Sequence, residues 1–321
     1  MSSRLRVAVV GLGIQGRKRM AIAGNDVVAT VDPVISDAQY RSIEQVPVDR
    51  FDAALVCTPD EAKLPVLRYL LARGKHALVE KPLLAADSHD IRELIDLVRS
   101  HGATCYTAYN HRFEPHLATL KSVLEAGTIG PVHLLRMFYG NGTARDVRSS
   151  SWRDHGAGVL PDLGSHLLDI TAFLLGRVGK RFHAWSFNRF ENQAFDHVLF
   201  GAQGKPCIEL EGTLLSWRNT FTLDVIGELG SAHVHGLCKW GPSVLTIRKR
   251  ILPSGKPTED SSTLECPDPT WAAEYAHFTS LCRTGGTNLE HDVWINDVLN
   301  SLVSATAATG ARQSEPMGAL R

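Results

Sequence analysis

Residues Arg6–Gly16 read RVAVVGLGIQG, and the rest of the chain is organised around them. Val7 to Val10 is a short apolar run rich in β-branched residues and closed by glycine, the pattern of a strand buried on both faces of a parallel sheet. Gly11, Gly13 and Gly16 then form G-x-G-x-x-G where the apolar period changes from strand-like to helical, through Ile14 to Ile22. In a dinucleotide-binding turn the first glycine bends the chain, the second lets a pyrophosphate reach the backbone, and the third lets the helix lie close on the strand. The anion rests on free N–H groups of the helix's first turn, here Gly13, Ile14, Gln15 and Gly16. A second apolar run, Val27 to Val31, ends in Asp32, at the distance from Gly11 (roughly 20 residues) where an acidic side chain meets an adenosine ribose. A carboxylate accepts hydrogen bonds from both ribose hydroxyls and repels a 2′-phosphate. Pro33 follows and no Arg or Lys comes before Arg41, so the expected cofactor is NAD rather than NADP.

A chain of 321 residues suggests two domains. With 34 Lys+Arg against 34 Asp+Glu it carries no net charge, so neither nucleic acid nor an anionic membrane is expected as a partner. No stretch approaches the ~18 to 20 apolar residues of a membrane span, and the first apolar run lacks a signal-peptide cleavage pattern. A soluble, cytoplasmic protein is expected. The six cysteines include no C-x-x-C pair and read as reduced thiols. His233 and His235 alternate along a strand, but two ligands do not make a metal site, and no metal is expected. Redox chemistry therefore has to come from a bound cofactor.

Through the first third, strand and helix patterns alternate: Phe51 to Cys57, Lys63 to Arg73, His76 to Val79, Asp87 to Ser100 and Ala103 to Ala108. That alternation implies right-handed βαβ units in a parallel, doubly wound sheet, the α/β class, over residues 1–112. Phe113 to Ala126 reads as a bridging helix. Beyond it, residues 113–321 read as an α+β domain. Its strands, without intervening helices, predict an open, mainly antiparallel sheet: His133 to Tyr139, Arg181 to Phe190, Phe195 to Phe200, Cys207 to Leu214, Asn219 to Ile226, Ala232 to Gly236 and Val244 to Arg250. Helices are expected at Leu163 to Leu175, Trp271 to Cys282 and His291 to Ala308, and a polar turn at Pro253 to Ser262.

Ligands of doubly wound sheets bind at the carboxyl ends of the strands, so Thr58-Pro59-Asp60, Glu80-Lys81-Pro82 and Tyr109-Asn110-His111-Arg112 are the stretches to weigh. A strand-end lysine is ordinarily just solvated. Lys81 differs in lying between Glu80 and a rigid proline, at the end of the sheet where the nicotinamide half of the cofactor belongs. In the second domain, Gly156 to Asp169 puts Asp162 and His166 four residues apart, on one helix face, beside Gly156, Gly158 and Gly164. An isolated Asp and His would be a helix-dipole partner and a packed imidazole; together beside three glycines they are candidate proton-handling groups. Just before them, Arg145 to His155 carries Arg148, Trp152 and Arg153. Arginines there suit a phosphate or carboxylate and Trp152 a base or sugar face, which favours an activated nucleotide sugar over a free polyol, against the plain alternative of a solvated loop.

Together, the glycine fingerprint, Glu80-Lys81-Pro82, Asn110 with Arg112-Phe113 ahead of a proline, and the Gly156 to Asp169 run resemble the glucose-fructose oxidoreductase / inositol dehydrogenase (Gfo/Idh/MocA) family over about residues 5 to 310. The resemblance implies a Rossmann domain followed by a domain whose open sheet forms a homodimer or homotetramer interface. It implies NAD(P)-dependent oxidation or reduction of a sugar or polyol carbon. It also implies Lys81 as the catalytic lysine, Asp162 as the helix aspartate and His166 as the acid-base histidine; these three are expected to bind substrate, and Arg148, Trp152 and Arg153 join them on the chemistry of their loop. Thr58, Pro59, Glu80, Lys81 and Asn110 join the glycine loop and Asp32 in holding cofactor. One departure stands out: where the family often has Asn and then His after Thr-Pro, this chain has Asp60 and Lys63. Two other outcomes fit the same fold: a non-catalytic NAD-sensing regulator, and a glycosidase using NAD in a transient oxidation.

Overall fold

The computed structural model describes residues 4–150 and 153–310; Trp152 lies outside them. The chain forms two compact units, Met1–Glu114 with Asp268–Asn296, and Pro115–Pro267 with Asp297–Arg321.

The first unit opens with β1 (Val7–Val10), α1 (Ile14–Ala23), β2 (Val27–Val31), β3 (Ala53–Val56), α2 (Asp60–Leu71), β4 (His76–Glu80), α3 (His89–His101) and β5 (Cys105–Ala108). Its five strands are parallel in the order β2-β1-β3-β4-β5. Every residue of β1, β3 and β5 is buried, which is why these strands read as unbroken apolar runs rather than alternating ones. The chain leaves β1 to one side for β2 and returns to its other side for β3. The crevice of the sheet is therefore at the carboxyl ends of β1 and β3.

The second unit contains α4 (Pro115–Glu125), β6 (Val132–Gly140), α5 (Ala144–Arg148), a π-helical turn over Leu160–Gly164 that runs into α6 (Ser165–Leu175), and then β7 (His183–Asn188), β8 (His197–Ala202), β9 (Cys207–Thr213), β10 (Thr220–Gly227), β11 (Gly230–His235), β12 (Ser243–Lys249) and β13 (Thr258–Leu264). These strands form one eight-stranded sheet, β13-β12-β11-β10-β6-β9-β8-β7, antiparallel except for β6 beside β9. Alternation sets its two faces: Phe221, Leu223 and Val225 of β10 are buried, while Thr222 and Asp224 between them are half-buried. The α4 helix packs on β11 and β12, and the π-helical turn on β8 and β9.

Two expectations are corrected. Pro253 to Ser262 was expected to be a polar turn, but Thr258–Leu264 pairs with β12 residue for residue. Its TEDSSTL is exposed almost throughout and has no apolar face to display a period, because an edge strand held by backbone bonds needs none. The second correction concerns the C-terminal helices, α7 (Thr270–Thr284) and α8 (Leu289–Gly310). Trp271 to Cys282 was expected in the second domain, but α7 belongs to the first unit. The reason is packing on the parallel sheet. One face buries Val10, Val56 and Val79 with Leu67, Leu71, Ile91 and Leu94 of α2 and α3. The other buries Val9, Leu55, Leu78 and Tyr106, and α7 contributes Tyr275 and Phe278 to that cluster. Leu289, at the start of α8, joins the first cluster.

Candidate active site

The glycine loop leaves β1 with three glycines in three different environments. Gly11 has φ +90°, and a Cβ on it would lie 2.5 Å from the carbonyl oxygen of Cys57 at the end of β3. A Cβ on Gly16 would lie 1.8 Å from the Gly11 carbonyl oxygen, so helix and strand meet there without room for a side chain. Gly13 is different. Its backbone, φ −65° and ψ −168°, suits any residue, and a Cβ there would meet nothing within 4 Å. No side chain caps α1, whose first backbone bond runs from Arg17 N to Gly13 O, leaving the N–H groups of its first turn directed outward. Thr58, just past β3, has a buried Oγ1 with no hydrogen-bond partner among the described residues. An open cradle at a helix's positive end, with an orphan hydroxyl on the adjacent strand end, fits a pyrophosphate.

Asp32 stands just past β2. Its Oδ2 accepts the Leu12 N–H at 2.7 Å, and its Oδ1 accepts those of Val34 and Ile35 at 2.9 and 2.8 Å. Burial alone would raise this carboxyl, but the backbone donors of Ile35, Leu12 and Val34 outweigh it and hold Asp32 below the ordinary carboxylate value. A carboxylate oxygen accepts about two hydrogen bonds, so Oδ1 is filled and Oδ2 keeps room for one ribose hydroxyl rather than two. Arg41, the first cation after Asp32, folds back on the same turn and donates to the Ile35 carbonyl at 2.8 Å.

At the end of β4 come Glu80, half-buried Lys81 and a cis peptide to Pro82. Arg19 of α1, 2% exposed, lies between Glu80 and Glu274 of α7, with contacts of 2.7 and 2.6 Å, and its guanidinium stands 4.1 Å from the centroid of Trp271. Burial opposes that charge, but Glu274 and Glu80 outweigh it, and the guanidinium pKa is raised. Lys63, also 2% exposed, donates to Asp60 Oδ1 and to the Pro82 carbonyl, each at 2.7 Å. Burial pushes its ammonium pKa down, against the pull of Asp60. The Asp60 and Lys63 departure is thus a matched pair, one side chain answering the other. Asn110 donates to Thr270 Oγ1 at 2.7 Å, so its amide is tied to the start of α7, where Asp268 in turn accepts from the Thr270 N–H.

In the second unit, Asp162 lies within the π-helical turn and His166 at the start of α6. A π turn widens the ring to i→i+5, so the four-residue spacing does not stack the two side chains as a regular helix would. Tyr139, at the end of β6, meets both. Its ring is 6.0 Å from the imidazole of His166, and its phenol pKa is raised first by burial and then by the negative charge of Asp162. Trp240 adds a further ring 5.5 Å from Tyr139, with Lys239 Nζ 4.5 Å from the Trp240 centroid. Neither aromatic was singled out from sequence. Tyr139 is hidden among the apolar residues of a strand, and the loop holding Trp240 has no motif. The close approach expected of the glycine run occurs at Gly158, where a Cβ would lie 2.2 Å from the Phe195 carbonyl oxygen. Of the arginine loop, Arg148 is exposed and donates to the Glu191 carbonyl at 3.4 Å, while Arg153 is half-buried.

Residues 5–109 match the oxidoreductase family model described as an NAD-binding Rossmann fold, and residues 117–233 match the GFO/IDH/MocA C-terminal domain. The chain belongs to the Gfo/Idh/MocA oxidoreductase family. Among relatives of this family it is similar to trans-1,2-dihydrobenzene-1,2-diol dehydrogenase of Mus musculus, 30% identical over 138 residues, or 43% of this chain and 41% of that one. It is similar to inositol 2-dehydrogenase of Rhizobium meliloti, 26% identical over 188 residues, or 54% and 55%. The matched part of the chain thus spans about two fifths to just over half of the length of these two relatives. The fold is that of levoglucosan dehydrogenase in complex with NADH, with a TM-score of 0.82 over 95% of this chain and 98% of the other at 18% identity. The Gfo/Idh/MocA assignment makes NAD the cofactor of the Rossmann unit. No helix among the described residues is long and apolar enough to cross a membrane, and no group of three or more metal-ligating side chains is present among them.

Proposed function

We propose that this protein is an NAD-dependent dehydrogenase that oxidises a secondary hydroxyl of a sugar or polyol, or reduces the corresponding ketone. The observation that carries the reading is Gly13, whose lack of a side chain answers to no neighbour in the protein and is accounted for by a pyrophosphate against its backbone. When bound, NAD supplies the hydride chemistry. Gly13, Ile14, Gln15 and Gly16 present N–H groups to the pyrophosphate, Thr58 its hydroxyl, and Asp32 one acceptor to the ribose. Pro59, Glu80 and Asn110 shape the cofactor's surroundings. Lys81, as an ammonium, stabilises the alkoxide that develops when a hydroxyl loses its proton. His166 takes that proton, and Asp162 supports the charge the imidazole acquires. Tyr139, kept neutral by burial and by Asp162, holds the ring of His166 in place, and the exposed part of Trp240 offers a flat surface of the kind a sugar ring packs against.

Within this reading Arg148, Trp152 and Arg153 bind the distal, anionic part of an activated nucleotide sugar. The open face of the eight-stranded sheet, where half-buried Thr222 and Asp224 lie beside exposed Ile226, joins copies of the chain into a homodimer or homotetramer. The deciding experiment is an NADH absorbance screen of free polyols, free sugars and nucleotide sugars, with product analysis. Net NADH establishes a dehydrogenase, product without NADH a transient oxidation, and NAD binding without turnover a regulator. A preference for free polyols would remove the phosphate role of the arginine loop.

A further inference from the structure

Two buried cations, Arg19 and Lys63, hold the chain neighbours of Lys81. Arg19 comes from α1, the helix that carries the glycine loop, and its Nε meets Glu80 Oε1 at 2.7 Å. Lys63 comes from α2, which follows β3, and its Nζ meets the Pro82 carbonyl at 2.7 Å. Glu80 and Pro82 are the two chain neighbours of Lys81. Each is therefore gripped by a different helix, and each grip has an anchor behind it: Glu274 for Arg19 and Asp60 for Lys63. Arg and Lys are almost never this fully buried unless paired, and replacing a buried ion pair by apolar residues of similar size is often neutral or stabilising. Stability alone does not call for the buried Arg19 pair, and for a buried Lys63 whose partner Asp60 is half-exposed, to converge on residues 80 and 82. A lysine that must meet a developing alkoxide within a few tenths of an ångström does, because a flexible side chain on a loose backbone spreads its charge over many positions.

We propose that Arg19 and Lys63 are positioning residues that brace Lys81 by holding its two neighbours, so that the lysine's backbone is fixed from the cofactor helix on one side and from α2 on the other. The proposal rests on the reading of Lys81 as the group that acts on substrate.

The test uses the full chain and its Lys63→Met and Glu80→Gln variants. The first removes the grip on Pro82; the second keeps the shape of Glu80 but weakens its hold on Arg19. Lys81 is labelled with a brief pulse of acetic anhydride at fixed pH and read by mass spectrometry against Lys75, whose Nζ donates to the Phe51 carbonyl away from the brace. Kcat, KM and NAD affinity are measured alongside. The brace predicts a Lys81:Lys75 labelling ratio changed at least threefold in both variants, kcat lowered tenfold or more in both, and, in Lys63→Met, KM and NAD affinity within about threefold. Lys63→Arg, which keeps a charged donor, should move the ratio back towards wild type. An unchanged ratio in both variants overturns the proposal, as does a parallel rise at Lys75, which would mean general loosening. If Lys63→Met does not fold, Glu80→Gln is read by the same two criteria. If the wild type turns over no sugar, the labelling ratio still decides the brace, and the loss falls on the catalytic reading of Lys81 instead.

Discussion

Changing Gly13 to alanine should separate cofactor binding from folding, because this glycine alone of the three has no neighbour that a methyl group would strike. Its φ of −65° is open to alanine, so the entropy removed from the unfolded chain favours the variant by about 0.4–1 kcal/mol. Against that, alanine is a poorer residue than glycine at a helix N-cap, by roughly 1 kcal/mol. The two nearly cancel, and stability should stay within about 1 kcal/mol of wild type. Gly16→Ala is the contrast. Its Cβ would lie 1.8 Å from the Gly11 carbonyl oxygen, and relieving that overlap by moving α1 off the sheet should lower stability by about 1–3 kcal/mol or more. For the cofactor the order reverses in meaning. A methyl at residue 13 stands where a pyrophosphate oxygen approaches, and one lost charge-assisted hydrogen bond, at about 1.5–3 kcal/mol, weakens NAD roughly 10- to 150-fold. Urea denaturation followed by circular dichroism gives the stability, and calorimetric titration with NAD gives the affinity. A Gly13→Ala protein that is as stable as wild type and binds NAD within twofold of it would refute the assignment of the loop.

Asp32→Asn should weaken NAD and narrow its margin over NADP, since the ribose acceptor and the charge that repels a 2′-phosphate are lost together; an unchanged NAD:NADP affinity ratio would count against it. Because the folded state holds this carboxyl below its unfolded value of about 3.9, its contribution to stability is present above that value and is lost as pH falls through the lower folded one. Urea midpoints between about pH 6 and pH 3 should therefore drop less steeply in Asp32→Asn than in wild type. Lys81→Ala should lower kcat by at least about 100-fold with NAD affinity little changed, because its charge matters when the alkoxide forms; turnover within a few-fold of wild type would return Lys81 to an ordinary strand-end lysine. If His166 takes the substrate proton, log kcat/KM for oxidation should rise with pH through a single ionisation that His166→Asn abolishes while NAD affinity survives. An ionisation that persists in that variant would move the role to another group.

The dinucleotide half of this protein was legible in the sequence because its information is local. A fully buried parallel strand has to be a continuous apolar run, a helix packed tightly on it has to carry glycine at the contact, and both lie within Arg6–Gly16. The same locality marked Asp32, Thr58-Pro59, Glu80-Lys81-Pro82, Asp162 and His166 as candidates, and made the period-two strands of the second unit readable, but the π turn that offsets Asp162 from His166 was not in the spacing. Wherever the deciding interaction joins distant residues, the sequence was silent. Helix α7 looks like any amphipathic helix, and only the assembled parallel sheet, with one face needing Tyr275 and Phe278, assigns it to the first unit. TEDSSTL has no apolar face, and only β12 beside it makes it a strand. Asp60 and Lys63 read as departures from a motif until folding set them against each other and against the Pro82 carbonyl. Arg19 read as one more helix cation, and Tyr139 as one more strand residue. Burying a charge is favourable only when its partners arrive, and those of Arg19, Glu80 and Glu274, come from elements far apart along the chain, as do the His166 ring and the Asp162 charge that Tyr139 meets.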